Sequence, residues 1–191
     1  MKPIIVVSGL PRSGTSMMMQ MLEAGGVEIY TDNLRQADED NPKGYYELER
    51  VKQLDKGKDK SWVGEATGKA VKIISQLLKE LPPAQTYQVV FMNRELNEVL
   101  ASQHKMLIRR GTAGEGNNND ENLRRLFRMH LDDVKDWLAR QSNFQVIEID
   151  YAKVVQDPAS QALRLREFLG IDLNVEQMAT IADKSLYRNR R

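Results

Sequence analysis

The 191-residue chain reads as an α/β protein, a parallel sheet flanked by helices. Three observations carry that reading. Short apolar runs recur along the chain: Pro3 to Val7, Ala70 to Ile74, Gln88 to Met92 and Phe144 to Ile149. Between them lie segments with helical spacing or helix stop and start signals, and strands alternating with helices imply a parallel sheet covered on both faces. The first run also ends abruptly in a glycine-rich turn that opens into a helix, the local order found where oxyanions are bound.

In chain order, strand Pro3-Ile4-Ile5-Val6-Val7 is followed by the turn Ser8 to Gly14. Good helix formers from Ser16 to Leu22 continue until Gly25-Gly26, a C-terminal stop. Val27 to Tyr30 leads into a polar connection, Thr31 to Gly44, too long for a simple turn and therefore read as a functional loop or lid. Tyr45 to Val51 reads as helix and Asp55 to Lys60 as a solvated loop. A second strand spans Ala70 to Ile74; Lys72 would reach the ligand rim from the end of an interior strand and would otherwise mark an edge. A short helix over Ser75 to Leu81 is closed by Pro82-Pro83.

The third strand passes through Asn93-Arg94-Glu95 into a helix reaching about Arg110, and Gly111 to Asn119 is a Gly/Asn-rich connection. Leu123, Leu126, Phe127, Leu131, Val134, Trp137 and Leu138 form an apolar stripe at helical period, so Phe127 and Trp137 are expected in the core. After the fourth strand, Asp157-Pro158 opens a helix with Asp as cap and Pro at its first position, and Gly170 stops it. No internal repeat and no second core interrupt this order, so residues 1–191 are expected to form one domain. Its size buries about 70% of the unfolded surface without staples.

Composition narrows the function. A formal net charge of +1 argues against broad attraction to nucleic acid or a membrane surface, so any basic site is local. With no cysteine and two histidines, thiolate chemistry is excluded and no metal centre is expected. The N-terminal apolar run reads as a buried strand rather than a signal peptide, and no run approaches the roughly 20 residues of a membrane span. A cytoplasmic protein is the resulting expectation.

The chemistry is placed on Ser8-Gly9-Leu10-Pro11-Arg12-Ser13-Gly14-Thr15-Ser16. Gly9, Gly14 and Ser16 keep the spacing of a phosphate-binding loop, but Thr15 stands where a nucleotide hydrolase carries Lys, and the nearest cation is Arg12. Ligands of open parallel sheets bind beyond the strands' carboxyl ends, which puts this loop, Lys72, Arg94 and Asp150 on one rim. Arg94 and Ser102 are eight positions apart, slightly over two helical turns, so both can face one side. His104, two residues beyond Ser102, is turned away.

Pro11-Arg12-Ser13-Gly14-Thr15-Ser16 resembles the 5′-phosphosulfate loop of sulfotransferases that use 3′-phosphoadenosine 5′-phosphosulfate (PAPS). Arg94 to Ser102 is similar to that family's 3′-phosphate element. Asn41 to Glu47, Ile149-Asp150-Tyr151 with Asp157-Pro158, and Arg166 to Gly170 resemble the bacterial single-domain members. The resemblance implies a P-loop NTPase-like sulfotransferase fold, with Arg12, Ser13, Gly14, Thr15 and Ser16 holding the 5′-phosphosulfate. Arg94 and Ser102 would hold the 3′-phosphate of PAPS and of its product PAP, so that the two arginines grip opposite ends of one nucleotide. The transfer implied is of a sulfuryl group to a hydroxyl or amine on a small-molecule, carbohydrate or peptide acceptor.

The chain departs from the family in two places. Lys72 matches the family's strand lysine, expected on the leaving phosphate oxygen, but Ile74 occupies the position of the histidine base, and an alkyl group accepts no proton. Glu47 is then the first candidate base and Glu65 the second. The family's C-terminal Gly-rich cofactor loop is absent, with Ser185 to Arg190 in its place. Two alternatives stay open: a module that binds PAP or PAPS without turnover, and a Mg-dependent nucleotide kinase or hydrolase with Ser16 and Asp150 at the metal.

Overall fold

The computed structural model describes residues 2–32, 34, 44–57, 59–109 and 120–182. Four parallel strands form one sheet in the order β2-β1-β3-β4: β1 Ile4–Gly9, β2 Ala70–Lys72, β3 Tyr87–Asn93 and β4 Phe144–Asp150. Register follows Val6 opposite Val71 and Val89, and Val90 opposite Ile147. β1 and β3 are the interior strands and are apolar on both faces, so they appear in the sequence as unbroken hydrophobic runs.

The side-chain alternation of the strands divides the core in two. Ile5, Val7, Val90 and Met92 pack against α1 (Thr15–Ala24), α4 (Tyr151–Gln156), α5 (Pro158–Leu169) and α6 (Val175–Ile181). On the other face Ile4, Val6, Val89 and Phe91 meet Val134 and Leu138 of α3 (Asp120–Ala139) and three short 3₁₀ helices. Those span Glu49–Gln53, Ser61–Ala66 and Ser75–Glu80. The remaining helix, α2 (Leu96–Arg109), follows β3 at the carboxyl end of the sheet. No helix among the described residues is long and apolar enough to cross a membrane.

Most boundaries fall where the punctuation puts them. Gly25 caps α1, and the Asp157 carboxylate accepts the Ser160 N–H at 3.1 Å with Pro158 at the first position of α5. Gly170 closes α5 at φ 64°.

Four expectations are corrected. Residues 44–48 are not helical, and a 3₁₀ helix begins only at Glu49. Tyr45, Leu48, Val51 and Leu54 are all buried; the last three follow the 3₁₀ period, with the Val51 N–H donating to Leu48 and the Leu54 N–H to Val51, while Tyr45 precedes the helix. β2 ends at Lys72 rather than at Ile74 and, of the two placements left open, takes the edge; Ile29 meets it through one bridge to Ala70. Lys60 is half-buried against Glu80, 3.0 Å away, not solvated. The α3 stripe is only partly core: Val134 and Leu138 are buried, Phe127 is half-buried and Leu126 is 56% exposed. The polar loop over residues 35–43, the 111–119 connection and the tail from 183 lie outside the described residues.

The face under α3 holds a pH-sensitive contact. His130 Nε2 lies 2.9 Å from the buried Ser75 Oγ. Burial holds the His130 pKa below its ordinary 6.5; Asp133 opposes this and Lys79 adds to it. A histidine with a depressed folded-state pKa contributes stability above pH 6.5, and that contribution is lost as pH falls through the folded value. Wild-type melting temperature should therefore fall further between about pH 7.5 and about pH 5 than that of His130→Gln, as read by scanning calorimetry. Parallel curves for the two proteins would show that the imidazole plays no part.

Candidate active site

The site is built at the carboxyl end of β1. Gly9 (φ 143°) leaves the strand where a Cβ would come within 2.6 Å of both the Met92 carbonyl oxygen and Ser13 Oγ, so only glycine fits. The chain turns over buried Leu10, and the Ser13 N–H returns to the Leu10 carbonyl at 3.1 Å. Arg12 sits at φ 73°, a left-handed conformation costly for a residue with a Cβ and one that clusters at ligand clamps. Gly14 (φ 99°) then starts α1, whose N-terminus has neither a side-chain cap nor an acidic residue in its first turn. The positive end of the helix dipole is thus left to face the loop. Ser8 and Ser13 add buried hydroxyl oxygens with no hydrogen-bond partner among the described residues.

Two arginines and a serine meet above this turn. Arg12 Nε donates to Ser102 Oγ of α2 at 2.9 Å, and Arg94 Nη1 donates to the Arg12 carbonyl at 3.1 Å. Arg94 Nε also donates to Glu98 Oε2 at 2.9 Å, and its guanidinium carbon lies 4.2 Å from the centre of the Tyr151 ring. The loop and the β3–α2 element, 82 residues apart in the chain, are therefore joined directly.

On the other side of the loop, Lys72 leans from the end of β2 onto α1. Its Nζ donates to Ser16 Oγ at 3.1 Å and to the Tyr45 carbonyl at 2.9 Å, with Glu47 Oε1 3.9 Å away. Only 10% of the Lys72 side chain is exposed, so its edge strand does not put it in solvent. The segment carrying Glu47 is pinned at several points. Thr31 Oγ1 donates to the Glu47 carbonyl at 2.7 Å, and the Tyr46 hydroxyl (φ 54° at its backbone) donates to Glu23 of α1. Burial, reinforced by Glu23, raises the Tyr46 pKa, so this phenol stays protonated and remains a donor.

This geometry accompanies an unambiguous match. A family model described as a sulfotransferase domain matches residues 2–191. The chain belongs to the sulfotransferase domain family. No curated protein sequence matches it significantly. Among solved structures, the sulfotransferase domain from the curacin biosynthetic pathway superposes with a TM-score of 0.59 at 14% identity, over 97% of this chain and 80% of the other. The sulfotransferase domain of the Synechococcus PCC 7002 olefin synthase gives 0.54 at 16% identity, over 98% and 79%. At such identities these likenesses establish the fold alone, a parallel sheet flanked by helices as in sulfotransferase domains.

Within this sulfotransferase domain, the loop residues Arg12, Ser13, Gly14, Thr15 and Ser16 converge with Lys72, Glu47, Arg94 and Ser102. Glu65 does not join them. It accepts from the Tyr30 hydroxyl at 2.6 Å, lies 3.8 Å from Arg50, and is 60% exposed on the 3₁₀ helix that precedes β2. The Asp150 carboxylate pairs with Lys153 at 3.1 Å, and His104 is exposed on α2. Sequence reasoning missed Glu98, Tyr151 and Tyr45. Glu98 had a signal in its i,i+4 spacing from Arg94; Tyr45 contributes through a main-chain carbonyl, which no residue type announces.

Proposed function

We propose that this sulfotransferase domain, residues 1–191 acting as one unit, transfers a sulfuryl group from PAPS to a hydroxyl or amine acceptor. The observation that supports it most is the union of Arg12, Ser102 and Arg94 at an uncapped helix N-terminus. Two guanidinium groups beside a glycine-rich turn suit a ligand with two anionic ends, and orphaned Ser8 and Ser13 hydroxyls fit an oxyanion-binding cradle. PAPS supplies an activated sulfuryl group carried on a phosphate leaving oxygen.

The chain's own residues then divide the work. Loop amides, Arg12, Ser13, Thr15 and Ser16 orient the 5′ end, while Arg94 and Ser102 bind the 3′-phosphate. Lys72, held by Ser16 and Tyr45, stabilises negative charge developing on the leaving oxygen. Glu47 accepts the acceptor's proton; its carboxylate beside Lys72 favours it over Glu65, which is tied to Tyr30. Catalysis of this kind is mostly positioning and electrostatics, as in phosphoryl transfer.

Calorimetry with PAP is the direct test. Wild-type protein should bind it, and Arg12→Ala should bind at least about tenfold more weakly, the size of one charge-assisted hydrogen bond. Equal affinity for the two proteins would overturn the assignment. Mass-detected sulfate transfer to a panel of phenols, sugars and amines tests turnover; PAP binding without product from any acceptor would mark a binding module instead.

A further inference from the structure

We infer that Glu98 is a positioning residue for nucleotide recognition: it fixes the Arg94 guanidinium so that the site discriminates a 3′-phosphorylated nucleotide from one lacking that phosphate. The inference rests on the reading of Arg94 as the 3′-phosphate ligand.

The pair is among the two most buried ion pairs described, the other being Lys72–Glu47. Side-chain exposure is 8% for Arg94 and 13% for Glu98, whereas the remaining pairs, such as Arg50–Glu65 and Lys69–Glu28, are open on at least one partner. An exposed i,i+4 pair stabilises a helix only slightly. Desolvating both charges is costly before any attraction is counted, so stability alone does not explain it.

Nor does charge favour anion binding here. A carboxylate bonded to Arg94 repels the phosphate that Arg94 is to bind, which opposes affinity. What Glu98 supplies is geometry. Its Oε2 takes the Nε–H at 2.9 Å, the Arg12 carbonyl takes an Nη1–H at 3.1 Å, and the Tyr151 ring lies against the guanidinium at 4.2 Å. Three holds from three elements set both the plane and the rotation of the group. An arginine fork pre-set in this way loses less side-chain entropy when it meets an anion.

Orientation and charge make opposite predictions for two substitutions. Glu98→Gln keeps an oxygen that accepts from Nε but removes the repulsion, so PAP affinity should hold or rise. Glu98→Ala removes the acceptor, and PAP affinity should fall roughly tenfold, the worth of about 1.4 kcal/mol. Glu98→Asp, which keeps the charge but withdraws the carboxylate by one methylene, should fall with Ala and serves if the alanine variant does not fold.

The readout is the ratio of 5′-AMP to PAP dissociation constants by isothermal titration calorimetry, since 5′-AMP lacks the 3′-phosphate. The ratio should collapse about tenfold in the Ala and Asp variants and survive in Gln. Equal weakening of PAP and 5′-AMP, which leaves the ratio unchanged, would show a general structural role and overturn the inference. So would a Gln variant that loses discrimination as fully as Ala. Failure of the underlying reading looks different: wild-type protein would then bind PAP no better than 5′-AMP.

Discussion

Gly14→Ala should lose PAP binding at concentrations that saturate the wild type, and should destabilise the fold by about 2–4 kcal/mol. Two causes add. The residue sits at φ 99°, which an L side chain rarely adopts, and its new Cβ would land on Cδ2 of the Tyr151 ring. Tyr151 is 6% exposed, so it cannot simply swing into solvent, and it is the surface on which the Arg94 guanidinium rests. Displacing it disturbs the loop and the second arginine together. Gly26→Ala is the internal control: φ is 95°, yet nothing lies within 4 Å of the added Cβ. That variant isolates backbone strain, about 1–2 kcal/mol, and should bind PAP normally. If chemical denaturation and calorimetry find the two variants alike, contact between the loop and Tyr151 does not organise the site.

The fold was legible where two independent signals agreed. β1 and β3 are buried on both faces, so they stand out as continuous apolar runs, though each strand runs on past its apolar run, β1 through Ser8 and Gly9 and β3 through Asn93. α5 carried a cap, a proline and a terminal glycine at the three positions where each is useful. Legibility failed where one pattern had two physical causes. Leu48, Val51 and Leu54 at spacing three fit an α-helical face and a 3₁₀ turn equally well, and Tyr45 keeps the spacing without being helical. Phe127 and Leu126 belong to a real helical stripe, but α3 spans 20 residues, about 30 Å, against about 23 Å for the seven-residue β3. Within that length only Val134 and Leu138 are buried, while Leu126 is exposed.

The candidate site was legible as a set of residues but not as a set of contacts. Arg12, Arg94 and Ser102 were expected as two separate anion cups, with Ser102 paired to Arg94. In the structure Ser102 accepts from Arg12 instead, and Arg94 reaches the Arg12 main chain. Carbonyl partners such as those of Arg12 and Tyr45 depend on backbone conformation, here on left-handed φ values at Arg12 and Tyr46, and no composition rule anticipates them. Lys72 shows the converse. A lysine on an edge strand would ordinarily guard that edge, yet three partners on the rim turn it inward.

Those three partners make Lys72→Met the variant with the largest expected catalytic effect. Methionine keeps the length and apolar stem but cannot place positive charge at the leaving oxygen, so sulfuryl transfer from PAPS should slow by roughly 10²–10³-fold. PAP binding should weaken far less, because the loop and both arginines remain. Stability should fall by about 1–2 kcal/mol, since the Tyr45 carbonyl loses its donor and Glu47 its cation, with the 24% exposure of Glu47 limiting the cost. Adding Glu47→Gln tests how the pair works. If Lys72 and Glu47 were only a structural ion pair, the double variant would recover both stability and turnover. With Lys72 on the leaving oxygen and Glu47 as base, the second substitution restores part of the stability while turnover stays low, and the Glu47→Gln single variant loses the acidic limb of the pH–rate profile. Product formation by Lys72→Met within about threefold of wild type, across acceptors that the wild type sulfates, would remove Lys72 from the chemistry.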